Sequence, residues 1–225
     1  MMLDATAVQG GVQWIGAQRD VLSGDIRGHV DVSELAATRH IYGLGPLEGV
    51  RGEVSIFGSV PSIARIEGGV VVTSRAWDVR ACFLVWTQVE QWHAQALENG
   101  AADLETIETL VVALAQGRGI DVQRPFAFHV DGLASEVVLH VLDKRDGLPH
   151  TAERHEEAKV RQRLTQVPVE LIGFYSRHHR GVFTPGNSNV HVHGRTNDGS
   201  VSGHLEEIRL APASRLAIPE AGWAQ

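Results

Sequence analysis

Three histidines near the end of the sequence have the spacing of metal ligands on a β-hairpin. In the segment NVHVHGRTNDGSVSGHLEE, His191 and His193 share one face of a strand about 7 Å apart, because successive strand residues point to opposite faces. A two-residue turn at Asp198 and Gly199 places His193 directly opposite His204, with their β carbons about 5 Å apart. The spacing therefore predicts three imidazoles above one point of a sheet.

Three imidazoles at one point favour a bound divalent metal ion. Three histidine nitrogens at about 2.0–2.1 Å, with a coordination position left open, form a catalytic rather than a structural zinc site. We therefore expect zinc, although imidazole also suits iron, nickel and copper. The alternative is a solvated His-x-His pair that arose by chance. The third histidine, which falls on the same face, favours metal binding.

Composition limits the other classes of function. The chain has 225 residues, of which 43% are hydrophobic, and a formal net charge of −7, which disfavours binding to nucleic acid. It has no apolar run of the roughly eighteen residues that a membrane span requires. The first residues lack the pattern of a secretory signal, so we expect a cytoplasmic protein. The single cysteine, Cys82, lies in the apolar run ACFLVW and is expected to be a buried, inert thiol.

The order of predicted elements indicates an α+β fold with mainly antiparallel or mixed β-sheets and a few helices. Apolar residues at helical spacing predict a helix over residues 103–116, and residues 31–40 predict a shorter one. Asp131-Gly132 predicts a hairpin between RPFAFHVDG and SEVVLHVL. The polar stretch from Asp146 to Pro168 is expected to be a surface loop or a short exposed helix.

That polar stretch also suggests a division of the chain into two parts. Residues 1–145 would form an N-terminal mixed sheet with a helix, and residues 146–225 a C-terminal antiparallel part that carries the three histidines. We expect the two parts to form one compact unit.

Several stretches in the same order resemble the α-acetolactate decarboxylase family. They are SELAATRHIYGLGPLEGVRGEVSIFGSVPSI, FLVWTQV, RPFAFHVDG, VELIGFYS and the HVHG…GHLEE hairpin, and together they span roughly residues 30–218. The resemblance implies the fold of that family and zinc ligation by His191, His193 and His204. It also matches Glu53 to a glutamate of the family's site.

The resemblance implies a reaction as well. Zinc would chelate the carbonyl and hydroxyl oxygens of a 2-hydroxy-3-oxo acid such as 2-acetolactate, which would lose carbon dioxide to give acetoin. Glu53 is the candidate proton donor or auxiliary ligand, and its alternative is an exposed glutamate on an edge strand. A homodimer is also expected, with no nucleic-acid or membrane partner.

Two departures from the family pattern concern the substrate and the metal. The family places an arginine where a gap-free count from Gly132 reaches His140, while Arg145 would need an insertion to serve. His140 could substitute for that arginine or be one more strand side chain. The family also supplies a further glutamate after the hairpin, whereas Glu220 comes too early to match it.

Two other functions are therefore kept open. One is a paralogue that binds metal but has no decarboxylase activity. The other is a regulatory or binding protein, because the hairpin also resembles the plant- and prokaryote-conserved (PPC) domain. The dense basic patch Arg177, His178, His179 and Arg180 could bind an anionic substrate at the mouth of the site or be a solvated loop.

Overall fold

The computed structural model describes residues 11–220, and in this part of the chain β-strands predominate. Fourteen strands, three α-helices and two short 3₁₀ helices are present among these residues. The ladders that join the strands into sheets are antiparallel, which confirms the predicted α+β fold with mainly antiparallel sheets and few helices. None of the described helices is long and apolar enough to cross a membrane.

The first sheet has six strands and is built from the earlier part of the chain. Its spatial order is β1-β8-β3-β4-β5-β6. A separate two-stranded ribbon joins β2 to β7. The strands are β1 (Gln13–Ile15), β2 (Val30–Asp31), β3 (Ile41–Pro46), β4 (Glu53–Phe57), β5 (Val60–Glu67), β6 (Val70–Ser74), β7 (Arg80–Ala81) and β8 (Leu84–Gln88).

The second sheet has six strands from the later part of the chain, in the order β11-β12-β13-β10-β14-β9. The long strands β10 and β11 also pair with each other, so β10, β11, β12 and β13 form a closed ring. This closure fixes the relative positions of the strands that carry the histidines. The strands are β9 (Trp92–Leu97), β10 (Phe126–Leu142), β11 (Lys159–Tyr175), β12 (Val190–Thr196), β13 (Ser202–Leu210) and β14 (Ser214–Pro219).

The main helix covers one face of the second sheet. The three α-helices are α1 (Gln18–Leu22), α2 (Leu104–Gly117) and α3 (Ala152–Glu157), and α2 confirms the helix predicted over residues 103–116. Asp103 caps α2 by accepting a hydrogen bond from the Thr106 amide at 2.8 Å. The apolar face of α2 lies in the same buried cluster as Val190 and Val192 of β12. The residues that alternate with these valines must therefore point away from α2.

The other predicted helix is much shorter than expected. Residues 31–40 contain one 3₁₀ helix, Val32–Leu35, capped by the Asp31 carboxylate.

The hairpin predicted at Asp131-Gly132 is wrong. Both residues lie inside β10, where they pair with Glu170 and Val169 of β11. A β carbon at Gly132 would lie 2.5 Å from the Ser214 β carbon of the neighbouring strand β14. Glycine is therefore needed here for close backbone approach rather than for a turn.

The segment from Asp146 to Pro168 is also more regular than expected. It contains the short helix α3, which was one of the two predicted alternatives. However, the strand β11 begins within it, at Lys159. The predicted boundary after residue 145 thus lies between β10 and β11, which pair along their length within one sheet. The two large sheets instead divide near residues 89–91. Polar side chains of β11 form ion pairs across the sheet, such as Arg163 with Glu207 at 2.9 Å, which explains a strand without an apolar pattern.

The close approach at Gly132 leads to a testable prediction. Gly132→Ala should lower the free energy of unfolding by about 1–3 kcal/mol, because β14 must move to admit the methyl group. Urea denaturation measures the change. Gly117→Ala at the end of α2 is the control, since no atom within 4 Å would meet its new methyl group. Equal stability of Gly132→Ala and the wild-type chain would contradict this packing.

Candidate active site

The hairpin of β12 and β13 has the predicted register. His193 pairs with His204. The turn itself differs from the predicted two-residue turn, because Thr196 donates its amide hydrogen to the Val201 carbonyl and residues 197–200 form a four-residue loop. Within the loop, Gly199 has a φ of 72°. The longer loop is centred on the same two residues, so the pairing is unchanged.

A fourth histidine joins the row formed by this hairpin. His204 pairs with His193 on one side and with His140 of β10 on the other, so the three lie side by side across three strands. The His140 and His204 rings stack with centroids 4.5 Å apart. The His191 ring centroid lies 5.2 Å from that of His193 and 4.9 Å from that of His204. The structure thus brings His140 to the predicted histidine cluster.

Hydrogen bonds orient two of the rings from behind. His191 Nδ1 lies 2.7 Å from the Phe183 carbonyl oxygen, which can only accept, so the His191 proton is on Nδ1 and Nε2 presents a lone pair. His193 Nδ1 lies 2.9 Å from the hydroxyl oxygen of Ser55, which belongs to β4 of the first sheet. The histidines therefore lie between the two sheets.

Glu53 is the carboxyl group that faces the histidines from β4. Its Oε2 atom lies 3.8 Å from His193 Nε2, and its Oε1 atom lies 3.9 Å from His140 Nε2. The alternative of an exposed edge-strand residue is wrong, because β4 lies between β3 and β5 and Glu53 is 2% exposed. Burial raises the pKa of Glu53 well above its usual value, which favours the protonated form.

The imidazoles are held in the neutral form that binds metal ions. Burial lowers the pKa of His191 to about 4 and those of His193 and His204 well below the usual value. Neighbouring histidines lower the three values further, since two imidazolium ions side by side would repel each other. Burial also lowers the pKa of His140, although its contact with Glu206 opposes the change. The cluster therefore presents lone pairs rather than positive charge.

The donor atoms of this cluster are suited to a metal ion. Glu53 Oε1, His193 Nε2 and His204 Nδ1 are buried without a hydrogen-bond partner, which is unfavourable unless another group binds there. Within residues 11–220 no group of three or more His, Cys, Asp or Glu side chains is already arranged as a metal site. However, imidazoles on one zinc ion have centroids roughly 5 Å apart, close to the 4.9–5.5 Å observed among the three predicted ligands. The spacing of the three rings is therefore compatible with ligation of one ion.

Two charged residues that the sequence analysis missed lie in the same cavity, which has a volume of about 490 Å³. Lys159 Nζ lies 3.0 Å from Glu206 Oε1, and Glu206 Oε1 lies 3.1 Å from His140 Nδ1. Contacts with His140, Arg161 and Lys159 lower the pKa of Glu206, so this carboxylate is ionised. Glu206 could have been found from its position two residues after His204. Lys159 could not, because its strand was interpreted as a loop or helix.

Other candidates from the sequence lie outside this cavity. Arg145 Nε binds Asp143 Oδ2 at 2.6 Å, and its Nη2 donates to the Ile66 carbonyl at 2.7 Å, in a different pocket. Glu220 forms ion pairs with His93 and Arg118.

The basic patch is also separate from the histidines. Arg177 and Arg180 line an open pocket beside α2, whose lining includes Glu108, Tyr175 and Asn189 but none of the candidate metal ligands.

The sequence model described as alpha-acetolactate decarboxylase matches residues 15–220. The chain belongs to the α-acetolactate decarboxylase family. This match confirms the resemblance inferred from the scattered motifs, and it includes strands of both large sheets. No curated protein sequence matches the chain.

Solved structures of this family share the fold. The α-acetolactate decarboxylase from Bacillus subtilis strain 168 is 16% identical, with a TM-score of 0.75 over 93% of this chain and 85% of that chain. A Staphylococcus aureus protein of unknown function, described as similar to α-acetolactate decarboxylase, is 12% identical, with a TM-score of 0.74 over 95% of this chain and 87% of that chain. The family thus retains its fold in this chain despite low sequence identity.

The contacts of Glu206 predict its effect on stability. Glu206→Gln should lower the free energy of unfolding by about 1–2 kcal/mol, because Lys159 and Arg161 lose a partly buried anionic partner. Chemical denaturation of both variants at neutral pH tests this. Glu207→Gln is the matched control, since its side chain is 59% exposed and it should change stability by no more than about 0.5 kcal/mol. If the two substitutions had equal effects, the role given to Glu206 would be incorrect.

Proposed function

We propose that this chain is a zinc-dependent decarboxylase that converts a 2-hydroxy-3-oxo acid such as 2-acetolactate to acetoin and carbon dioxide. The observation that carries the proposal is the cluster of buried histidines with the buried carboxyl group of Glu53 beside one cavity. Membership of the α-acetolactate decarboxylase family supports the class of reaction.

His191, His193 and His204 would hold the ion. When bound, it would act as a Lewis acid that stabilises the negative charge developing on the substrate oxygens. The Phe183 carbonyl, by accepting from His191 Nδ1, keeps the opposite ring nitrogen available for ligation. The Ser55 hydroxyl would do the same for His193 by accepting from its Nδ1. These contacts would also limit rotation of the two rings.

Glu53 would supply the proton that the reaction consumes. When the bond to the carboxyl carbon breaks, carbon dioxide leaves and the bonding electron pair remains on the substrate, which must then gain one proton. Glu53 is buried, and burial raises its pKa, which favours the protonated form that could deliver this proton to carbon. Solvent that enters the cavity after product release would return a proton to Glu53.

Lys159 would bind the substrate carboxylate. It is the only lysine or arginine among the described residues that line the cavity. Of the two sequence candidates for this role, Arg145 lines another pocket, and the ring nitrogens of His140 face Glu206 and Glu53. The ion pair of Lys159 with the exposed Glu156 is weak enough for a substrate carboxylate to replace it.

The proposed activity has a direct test. Zinc-loaded protein should convert 2-acetolactate to acetoin and carbon dioxide, and His191→Ala should lower kcat/KM by more than about a hundredfold through loss of a ligand. Zinc content is measured on the same samples by mass spectrometry. His129→Ala is the control, because His129 binds Glu170 outside the cavity and should leave activity and zinc content unchanged.

The result can separate the competing functions. Stoichiometric zinc without turnover would reject the decarboxylase and leave the metal-binding paralogue. Failure of the wild-type chain to retain zinc would reject the metal site itself.

The role of Lys159 predicts a change mainly in KM. Lys159→Met should raise KM for 2-acetolactate about 10- to 100-fold, which corresponds to a charged hydrogen bond of about 1.5–3 kcal/mol. The effect on kcat should be smaller, because the carboxylate loses its charge as carbon dioxide forms. Lys159→Arg should restore most of the affinity. A KM for Lys159→Met equal to that of the wild-type chain would show that another group binds the carboxylate.

A further inference from the structure

A second pocket collects positive charge in an otherwise acidic protein. Its volume is about 270 Å³, and it shares no lining residue with the histidine cavity. Four of the chain's 20 lysine and arginine residues line it, in a protein of net charge −7. Glu48 and Asp143 are the acidic residues in the lining, so the pocket has a formal charge of +2. The four basic residues are Arg51, Arg65, Arg80 and Arg145.

Two of these guanidinium groups are already held in place by the protein. Arg145 binds Asp143 Oδ2 and the Ile66 carbonyl. Arg80 donates to the Gly28 carbonyl and lies 3.9 Å from Glu48 Oε1. Such contacts fix the direction of each side chain while leaving other N–H groups of the guanidinium available.

Within residues 11–220, the other two guanidinium groups have no hydrogen-bond or ion-pair partner. They belong to Arg51 and Arg65. Arg65 is also only partly exposed, because it extends from β5. Two unpaired arginines beside two fixed ones would repel one another, and a bound anion would remove that repulsion.

We propose that this pocket binds a phosphate group, either as the free ion or as part of a small phosphate ester. A guanidinium presents paired N–H donors whose geometry matches phosphate oxygens. The formal charge of +2 balances a phosphate dianion. The four arginines come from separate segments of the chain and line one pocket.

The size of the pocket favours a small ligand. Its volume of about 270 Å³ lies just below the range of roughly 300–1,000 Å³ that is typical of drug-sized ligands. Inorganic phosphate, pyrophosphate and a triose phosphate are therefore suitable probes. Because the two pockets share no lining residue, a phosphate bound here would not compete with a substrate in the histidine cavity.

Titration calorimetry of the full chain tests the site. Inorganic phosphate, pyrophosphate and glyceraldehyde 3-phosphate are titrated at constant ionic strength set with sodium chloride, and the best of them should bind with one site per chain. The double variant Arg51→Ala, Arg65→Ala should bind at least about tenfold more weakly. Arg75→Ala is the control, since it removes an exposed arginine that does not line the pocket and should bind as the wild type does. Thermal melting verifies that each variant is folded.

Further titrations identify the ligand and the pocket that binds it. The free ion is favoured if inorganic phosphate binds as tightly as the ester, and an ester is favoured if glyceraldehyde 3-phosphate binds more tightly. His191→Ala should leave phosphate binding intact, and loss of binding in that variant would assign the anion to the histidine cavity instead. Tighter binding of malonate than of every phosphate probe would overturn the assignment to phosphate. If Arg75→Ala and the double variant lost phosphate affinity equally, the binding would be explained by general charge attraction, and the site would be rejected.

Discussion

The candidate site depends on the pairing register of three adjacent strands, β12, β13 and β10. In that register His193, His204 and His140 lie side by side, and His191 lies on the same face two residues away. A slip of one residue would turn the histidines of β12 toward α2 and turn Val190 and Val192 toward the first sheet. The apolar face packed on α2 and the ring closed by β11 both oppose such a slip. The core packing of the second sheet thus maintains the site.

Much of this arrangement follows from the sequence because strand periodicity is strict. His191 and His193 point to the same face of the strand. Together with a turn centred on Asp198 and Gly199, this predicted the pairing of His193 with His204. The predicted register of β12 and β13 is correct even though the loop has four residues, because the pairing depends on the centre of the loop rather than on its length. By the same rule Glu206, two residues after His204, shares the histidine face.

The sequence did not predict the rest of the fold and site, because one residue type can serve different structural purposes. Gly132 follows an aspartate and therefore resembles a turn, although it is needed where β14 approaches β10 closely. The first half of β11 carries several charged side chains, which form ion pairs with neighbouring strands. Its sequence therefore shows no apolar alternation. Lys159 begins this strand, and only the folded structure shows that it reaches the cavity.

The two carboxyl groups of the cavity have different surroundings, and this difference separates their roles. Glu53 lies between the sheets, where burial raises its pKa by more than Lys159 lowers it, and this favours the protonated form. Glu206 contacts His140, Lys159 and Arg161, which together lower its pKa and keep it ionised. His140 lies between the two carboxyl groups and contacts both. In the proposed reaction a proton donor, Glu53, and a fixed anion, Glu206, would therefore share one cavity.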